Sequence, residues 1–427
     1  MSFETISVIG LGYIGLPTAA MFAAYGKNVI GVDVNQHAVD TINRGEIHIV
    51  EPDLDAMVHK AVIDGKLKAV LIPETADAFL IAVPTPFLPT DNESDIPQPD
   101  LKYIQSASKA IAPVLKKGDL VILESTSPVG ATEKMADWLS EYRTDLTFPK
   151  THGEDSDIRI AHCPERVLPG LVVRELVEND RVIGGLTHKC SQQATALYKT
   201  FVQGDCVVTN ARTAEMAKLT ENSCRDVQIA FANELSIICD KLDIDVWELI
   251  SLANRHPRIN ILQPGPGVGG HCIAVDPWFI VAKTPEQAQL IHTARKVNDS
   301  KPLWVVDKVK LAIAEYLIAN PNKTAKEVTI ACFGLAFKPD IDDLRESPAL
   351  NIAKAIATMN AGVTLAVEPN IANLLDTLKN SLTLAPSVAA IFDADILVML
   401  VDHKEFKQLD KSLLNNKIIV DTKGIWK

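Results

Sequence analysis

A glycine-rich segment of the chain carries a cysteine in a setting where a thiol could react. Residues 265–277 read GPGVGGHCIAVDP, so Cys272 follows four glycines and Asp276 stands four residues further on. Glycines allow a ligand to approach closely, and bare backbone amides can donate to an oxyanion. A thiolate in such a loop can attack an aldehyde. The segment predicts covalent chemistry at Cys272, against the alternative of a small apolar residue in a turn.

Lys218 and Asn222 form a second candidate pair. A spacing of four residues places both side chains on one face of a predicted helix, where a cation and an amide could meet one substrate oxygen. Glu215 and Glu221 flank the pair, so a solvated helix face with salt bridges explains the spacing equally well. The spacing alone leaves both interpretations open.

Three further loops carry charged side chains whose pattern is less specific. Residues 163–170, CPERVLPG, follow a strand pattern, and alone they indicate only a charged turn. The second loop, NRHPRINI at residues 254–261, carries a basic cluster that could bind a diphosphate or line the surface. The third, FKPDIDDLRES, follows a strand, and anions often bind at such positions in α/β sheets. The side chains concerned are Glu165 and Arg166 in the first loop, Arg255, His256 and Arg258 in the second, and Phe337, Lys338 and Arg345 in the third.

The N-terminal region contains a dinucleotide-binding pattern. Gly10, Gly12 and Gly15 form a GxGxxG turn after a short apolar strand, and Asp33 ends the next strand, 18 residues after Gly15. Such glycines permit a tight turn and bring backbone amides to a pyrophosphate at a helix N-terminus. An acidic residue at the position of Asp33 binds the ribose hydroxyls and repels a 2′-phosphate. The pattern predicts NAD rather than NADP.

The elements that must hold these residues indicate an α/β fold. A strand, glycine turn, helix and strand follow one another within about 30 residues, as in a parallel doubly wound sheet. Strands recur up to residue 165, and a second α/β pattern begins at residue 327. Between them, a helical pattern from residue 209 runs for over 30 residues without Gly or Pro. We predict two doubly wound Rossmann-like domains joined by a central helical segment with a long helix. The predicted domains are 1–208, 209–318 with the cysteine loop, and 319–427.

Composition excludes several other classes of protein. The 427 residues carry a formal net charge of −12, which argues against nucleic acid or an anionic membrane as the main partner. Seven scattered cysteines without a CxxC pair predict neither disulfides nor a zinc site, and we expect no bound metal. No apolar run reaches membrane-spanning length, and the first residues enter a strand pattern directly. We expect a reduced, cytoplasmic protein, with the long helix favouring a homodimer over packing within one subunit.

Taken in order, the motifs resemble those of the UDP-glucose/GDP-mannose dehydrogenase family over essentially the whole chain. The matching segments are GLGYIGLP, VPTP, ESTSPVG, CPERVLPG, the Lys218–Asn222 helix, PGPGVGGHC and FKPDIDDLRESP. The resemblance implies an NAD-dependent oxidation of a UDP-sugar alcohol to the acid. It implies that the residue matching Arg258 reaches the site of a neighbouring subunit, which also favours a dimer.

The resemblance also implies roles for individual residues. The catalytic set is Cys272 as nucleophile, Lys218 and Asn222 at the oxyanions, Asp276 ordering Lys218 or water, and Glu165 and Thr126 orienting water. The expected NAD contacts, besides the three glycines, are Tyr13, Ile14, Asp33, Thr85, Thr126 and Arg345. The expected UDP-sugar contacts are Arg166, Val167, Lys218, Asn222, Arg225, His256, Arg258, Gly269, Phe337 and Lys338.

One departure from the family pattern bears on the sugar. Glucose-oxidising members resemble PEFLxE, with a second carboxylate four residues after the first, whereas this chain has Pro169 there. PERVLPG and the HPR segment resemble the branch that acts on UDP-N-acetyl-hexosamines, which favours UDP-N-acetyl-D-mannosamine, with UDP-N-acetylglucosamine as the alternative. Two more distant hypotheses are a β-hydroxyacid dehydrogenase that performs one oxidation and a non-catalytic nucleotide-sugar sensor.

Overall fold

The computed structural model describes residues 3–49, 51–89, 96–168, 170–270, 272–374, 376–379 and 381–426. Pro169, on which the sugar prediction depends, lies outside these ranges. The chain divides into two compact units, one of Met1–Glu221 with Ala282–Thr284 and one of Asn222–Val281 with Pro285–Lys427. The three-domain division at residues 208 and 318 stays a prediction.

One sheet forms the frame of the first unit. Its strands are β1 (Thr5–Ile9), β2 (Asn28–Val32), β3 (Leu67–Val70), β4 (Ala78–Ile81), β5 (Leu120–Leu123), β6 (Arg159–His162), β7 (Arg181–Gly185) and β8 (Cys206–Asn210). Their order is β3-β2-β1-β4-β5-β6-β7-β8. All neighbours pair parallel except β6 and β7, which pair antiparallel. The first six strands therefore have the Rossmann order, and the last two run in the opposite direction, which the sequence pattern did not predict.

Helices cover both faces of this sheet. They are α1 (Gly15–Ala24), α2 (Gln36–Asn43), α3 (Leu54–Ile63), α4 (Lys102–Ile111), α5 (Ala131–Tyr142), α6 (Pro149–His152), α7 (Val172–Glu178) and α8 (His188–Tyr198). Alternate residues of one strand enter different cores: Leu120 and Ile122 pack with α1, whereas Val121 and Leu123 pack with α4 and α5. Burial on both faces explains why β5 reads LVIL without a polar residue.

The central part of the chain is helical. It contains α9 (Ala211–Leu242), α10 (Val246–Ala253), α11 (Asp276–Lys283) and α12 (Gln289–Ala319). The long pattern that began at residue 209 is thus one helix of 32 residues. In α12, which has 31 residues with Pro302 inside it, Val305 and Val309 pack on the second sheet.

A smaller sheet forms the frame of the second unit. Its strands are β9 (Ile330–Phe333), β10 (Thr364–Val367), β11 (Thr383–Leu384), β12 (Ile396–Met399) and β13 (Ile418–Asp421), in the order β11-β10-β9-β12-β13 and all parallel. The accompanying helices are α13 (Pro348–Met359), α14 (Ser387–Asp393) and α15 (Lys404–Lys407). α12 and α13 cover one face, and α14 and α15 the other. The predicted fold class is confirmed.

Candidate active site

The turn after β1 has the geometry that the GxGxxG pattern predicts. Gly10 has a φ of 92°, and a Cβ there would lie 2.6 Å from the Ala82 carbonyl oxygen. A Cβ on Gly15 would lie 1.7 Å from the Gly10 carbonyl oxygen, so helix α1 can start this close to the turn only with glycine. Gly12 instead faces open space, and a Cβ there would have no neighbour within 4 Å among the described residues. The turn is therefore built tightly on two sides and left bare on the third, which fits a dinucleotide pyrophosphate.

Asp33 lies at the carboxyl end of β2, beside this turn. Its Oδ2 accepts from the Leu11 amide and its Oδ1 from the Asn35 amide, both at 2.9 Å. The side chain remains half-buried, so lone pairs stay accessible for ribose hydroxyls. Other expected NAD contacts surround the turn: Tyr13 is exposed, Ile14 is half-buried, and the buried Thr85 hydroxyl has no hydrogen-bond partner among the described residues.

The turn that carries Thr126 is attached to the long helix by a carboxylate. Glu215 on α9 accepts from the Gly130 amide at 2.6 Å, the Thr132 amide at 2.8 Å and the Thr132 hydroxyl at 2.6 Å. It thereby caps the start of α5, and Lys218 follows it by three residues on α9. Glu215 is buried, so the interpretation of this residue as part of a solvated face is wrong. Sequence spacing could not reveal its partners, which are 83 and 85 residues away.

Lys218 itself is half-buried in α9. Among the described residues, its ammonium forms no hydrogen bond or ion pair. A lysine held on a helix without a carboxylate partner remains able to donate to a substrate oxygen.

Glu165 follows β6 and is buried with an arginine that belongs to none of the sequence motifs. Arg181 Nη1 lies 2.5 Å from Glu165 Oε2, and both side chains are almost fully buried. The Arg166 amide donates to Glu165 Oε1 at 2.7 Å. Both carboxylate oxygens are thus fixed in direction. The sequence around Asp180 and Arg181 contains no motif that indicates this pair.

The backbone of the loop after Glu165 is held by hydrogen bonds to a glutamate elsewhere in the first unit. Glu51 accepts from the amides of Gly170 and Val172, each at 2.9 Å, and is itself buried. Arg166 forms an ion pair with Glu221 at 2.8 Å, and Val167 packs against the sheet core. Of Arg166 and Val167, only the arginine presents a polar side chain from this loop.

In the second unit, three of the predicted catalytic residues come together. Cys272 is exposed, and its carbonyl accepts from the amides of Val275 at 3.1 Å and Asp276 at 2.9 Å at the start of α11. Asp276 is buried, and its Oδ2 accepts from Asn222 Nδ2 at 2.5 Å. The structure therefore joins Asp276 to Asn222, one helical turn from the thiol.

Glycines of the cysteine loop lie against the loop that carries Phe337. A Cβ on Gly269 would lie 2.5 Å from the Glu346 carbonyl oxygen, and Gly270, with a φ of 82°, lies against the Phe337 ring. The Gly270 amide donates to the Glu346 carbonyl at 3.4 Å. The cysteine loop and residues 337–346 are therefore packed as one surface.

Buried polar residues anchor the Phe337 loop at the carboxyl ends of β10 and β12. Glu368 accepts from the Leu335 amide at 2.7 Å and the Ala336 amide at 3.1 Å, and His403 Nε2 lies 3.0 Å from the same oxygen. His403 Nδ1 accepts from the Asp340 amide at 2.9 Å. Burial alone would raise the pKa of Glu368, but the hydrogen bonds from His403 and the Leu335 amide outweigh it and lower the pKa.

The remaining expected contacts are polar side chains on the surface of the second unit. Arg225, His256, Arg258 and Lys338 are exposed, and Arg345, expected to contact NAD, is held by Asp343 through hydrogen bonds of 2.9 and 2.6 Å. The Asn254 side chain closes the loop of His256 and Arg258 by hydrogen bonds of 3.0 and 2.7 Å to Ile261.

Neither a metal-binding cluster nor a membrane-spanning helix occurs in the part of the chain that the structure describes. No group of three or more His, Cys, Asp or Glu side chains in these ranges is placed to hold a metal ion. No described helix combines the length and apolar character needed to cross a bilayer.

A bare dinucleotide turn with its acidic residue, and a thiol one turn from an amide–carboxylate pair, are the features of an NAD-dependent dehydrogenase. Models of the UDP-glucose/GDP-mannose dehydrogenase family match the chain in three parts, the NAD binding domain at residues 4–202, the central domain at 212–300 and the UDP binding domain at 331–427. The chain belongs to this family and is an NAD-dependent oxidoreductase. A β-hydroxyacid dehydrogenase would need no counterpart of the third part.

Individual relatives cover the chain from end to end. A UDP-N-acetyl-D-mannosamine dehydrogenase of Yersinia pestis is 68% identical over 100% of both chains. An NDP-N-acetyl-D-galactosaminuronic acid dehydrogenase of Ralstonia nicotianae is 62% identical over 100% of this chain and 97% of its own. The solved structure of a UDP-D-ManNAc dehydrogenase from Pyrococcus horikoshii has a TM-score of 0.85 and 39% identity, covering 99% of this chain and 96% of that one.

Proposed function

We propose that this protein oxidises the C6 alcohol of UDP-N-acetyl-D-mannosamine to the carboxylate, using two NAD and a covalent intermediate on Cys272. The observation that carries the proposal is the exposed Cys272 one helical turn from the Asn222–Asp276 pair. The names of the relatives at 68% identity and in the solved structure support the sugar.

The first oxidation converts the alcohol to an aldehyde. Bound NAD supplies the hydride acceptor for this and for the later oxidation, held by the turn at Gly10–Gly15 and by Asp33. The hydroxyl proton goes to water, or to Lys218 in its neutral amine form, as the hydride leaves C6. The Lys218 ammonium and the Asn222 amide stabilise the negative charge on the oxygen, and each such donor is worth roughly 2.7–4 kcal/mol in acyl-transfer sites.

The second oxidation takes place on the cysteine. The Cys272 sulfur bonds to the aldehyde carbon and the oxygen takes up the thiol proton, which gives a thiohemiacetal. Loss of a second hydride and of the hydroxyl proton leaves a thioester. Asp276 orients Asn222, whose side-chain amide donates to Asp276 and has a second N–H for the substrate oxygen.

Hydrolysis completes the cycle. Water bonds to C6 and the carbon–sulfur bond breaks, so that the acid and the free thiol are formed. Glu165 and Thr126 orient this water. The buried carboxylate of Glu165 is suited to the task because its direction is fixed by two hydrogen bonds.

The sugar epimer is the finest part of the proposal. The relative at 62% identity has a name that refers to a galactosaminuronic acid. Other UDP-N-acetyl-hexosamines, including UDP-N-acetylglucosamine, are therefore the second candidates. The epimers differ in the orientation of single hydroxyl or acetamido groups, and these contacts depend on local pocket shape.

The assembly and location belong to the same proposal. We propose a homodimer built on α9, because Phe231, Ile238 and Leu242 leave apolar surface exposed along its second half. Arg258 then serves the neighbouring subunit. Cysteines without disulfides, at seven described positions, support a reducing cytoplasm, where the product would enter bacterial surface polysaccharide synthesis.

A substrate panel tests the sugar. NADH release is measured with UDP-N-acetyl-D-mannosamine, UDP-N-acetylglucosamine, UDP-N-acetylgalactosamine and UDP-glucose at equal concentration. The mannosamine substrate should give the highest kcat/KM. Preference for UDP-glucose would overturn the assignment to hexosamines, and binding of UDP-sugar without NADH would favour a sensor.

The covalent step has its own test. Cys272→Ser should abolish the second NADH and the free acid, whereas Cys224→Ser, at another exposed cysteine, should leave both unchanged. If Cys272→Ser releases two NADH per sugar at the normal rate, the covalent scheme is wrong.

A further inference from the structure

Beneath the Glu165 loop lies a buried polar cluster of which the reaction scheme uses Glu165 alone. It consists of Glu124, Glu165, Arg181 and Tyr198, all of them buried in the first unit. Arg181 Nη1 lies 2.5 Å from Glu165 Oε2, and the Tyr198 hydroxyl donates to Glu124 Oε1 at 3.0 Å. The Arg181 guanidinium carbon is 5.2 Å from the centre of the Tyr198 ring. The cluster links the loop after β6 to the start of β7, the end of β5 and helix α8.

The cluster contains two carboxyl groups, those of Glu124 and Glu165, and one guanidinium, that of Arg181. The guanidinium pairs with Glu165, whereas Glu124 receives its hydrogen bond from the neutral Tyr198 hydroxyl. Two ionised carboxylates with one guanidinium would leave an unpaired buried charge, which is strongly unfavourable. Burial, with the nearby charge of Glu165, raises the pKa of Glu124 to about 8. Glu124 is therefore a neutral acid at pH 7, and Glu165 keeps the cation to itself.

The arrangement also fixes where Glu165 points. One of its oxygens accepts a hydrogen bond from the Arg181 guanidinium, and the other accepts one from the Arg166 amide at 2.7 Å. Arg181 is in turn held against the Tyr198 ring. A carboxylate fixed at both oxygens presents its remaining lone pairs in constant directions, and misplacement of a catalytic group by about 1 Å can cost roughly 10²-fold in rate.

We propose that Arg181 is a positioning residue for thioester hydrolysis, because it holds Glu165 in the direction required to orient the attacking water, while Glu124 stays out of the pairing. The inference rests on the proposed role of Glu165. In the step concerned, the water oxygen bonds to C6 and the C6–sulfur bond breaks. One water proton goes to the sulfur and the other is released with the carboxylate.

The test follows the covalent adduct on the protein rather than overall activity. The experiment compares wild type with Glu165→Gln, Arg181→Lys and Arg181→Gln. Each protein is mixed with UDP-sugar and NAD, samples are quenched at successive times, and the mass of the intact protein is measured by mass spectrometry. We expect the Glu165 and Arg181 variants to release two NADH per site in the first turnover and then to accumulate the acyl-enzyme, with hydrolysis slowed roughly 10- to 100-fold. Arg174→Gln is the matched control, since Arg174 is exposed on α7 and pairs with Glu178.

The possible outcomes distinguish a failure of the positioning role from a failure of the proposed function. If Glu165→Gln accumulates adduct but folded Arg181→Lys hydrolyses at the wild-type rate, the positioning role is wrong and the proposed function stands. If Glu165→Gln itself hydrolyses normally, the proposed role of Glu165 fails, and the inference fails with it.

Loss of a buried arginine could prevent folding, so a second variant provides an independent test. Glutamine has the size and the neutral charge of a protonated glutamate, so Glu124→Gln should fold. The titratable groups around Glu124 are Glu165, Arg181, Tyr198 and Cys163, and burial raises the pKa of Cys163 to about 12 and also raises that of Tyr198. Wild-type hydrolysis should therefore decline above about pH 8 as Glu124 ionises and competes for Arg181. Glu124→Gln should remove that decline, and the same decline in the variant would overturn the inference.

Discussion

The two Rossmann-like sheets begin with the same turn. The Gly10 amide donates to the Val32 carbonyl and the Gly334 amide to the Val367 carbonyl, each at 2.8 Å. The two glycines have φ values of 92° and 88°. In both sheets, the strand that supplies this carbonyl is followed by an acidic residue, which accepts from the amide after the glycine. One backbone device thus occurs twice in the chain.

The two turns differ in what they leave accessible. Ala336 stands where the first turn has the bare Gly12, and Glu368 stands where the first has Asp33. Asp33 is half-buried, whereas Glu368 is buried and held by His403. A dinucleotide needs a bare turn and an accessible carboxylate for the ribose. The second turn has therefore become an internal anchor for its loop, and a nucleotide bound in the second unit cannot use Glu368 in the way that we propose for NAD and Asp33.

The strongest way to break the comparison is to remove the two acids. Glu368→Ala leaves two buried amides and His403 without their acceptor, so unfolding free energy should fall by about 3–5 kcal/mol. Asp33→Ala should cost only about 0.5–1.5 kcal/mol, because water can reach the freed amides. Urea unfolding is followed by circular dichroism, which reports on both units, and by the fluorescence of Trp138 in the first unit and of Trp247, Trp278, Trp304 and Trp426 in the second. Equal losses in the two variants would show that the acids do the same work.

The same pair of variants should separate in cofactor use. Asp33→Ala removes charged hydrogen bonds to the ribose, each worth about 1.5–3 kcal/mol, so kcat/KM for NAD should fall roughly 10- to 100-fold. Discrimination against NADP should fall as well, because the repulsion of a 2′-phosphate is lost. Steady-state kinetics with both cofactors measures this. An unchanged KM for NAD would place the ribose elsewhere.

The smallest expected effect sharpens the contrast between Gly12 and Ala336. Gly12→Ala adds a methyl group in open space, so the melting temperature should stay within about 2 °C of wild type. The KM for NAD should rise several-fold, since the methyl intrudes on the approach to the pyrophosphate. Ala336→Gly is the matched control, and the KM for NAD should not change in it. A melting temperature lowered strongly by Gly12→Ala would mean that the turn is not bare.

Much of the fold could be predicted from the sequence because its signals are local. Apolar runs of four or five residues, a glycine turn and a helix pattern without Gly or Pro indicated both sheets and α9. The pairing of Cys272 with Asp276 could be predicted for the same reason, since both lie within one glycine-rich segment. Strand direction between β6 and β7 has no such local signal, and its reversal was missed.

The charged residues were harder to predict, because their partners lie far along the chain. Glu215 had local neighbours that suggested a solvated helix face, yet it caps a helix more than 80 residues away. Arg181 had no motif at all, and only the fold brings it to Glu165. Whether a charge is buried depends on tertiary contacts, and helical spacing does not contain that information.

The attachment of the Glu165 loop to Glu51 affects how the sugar specificity of this enzyme could change during evolution. Among the described residues of the loop, Glu51 accepts hydrogen bonds from the main-chain amides of Gly170 and Val172 and from no side chain. Backbone amides are the same in every residue except proline, so side chains at positions 166–168 can mutate without loosening the attachment. Selection could therefore alter recognition of the hexosamine in small steps while Glu165, which we propose to orient the hydrolytic water, keeps its place. Directed libraries restricted to these positions are a practical route to enzymes for other UDP-sugars.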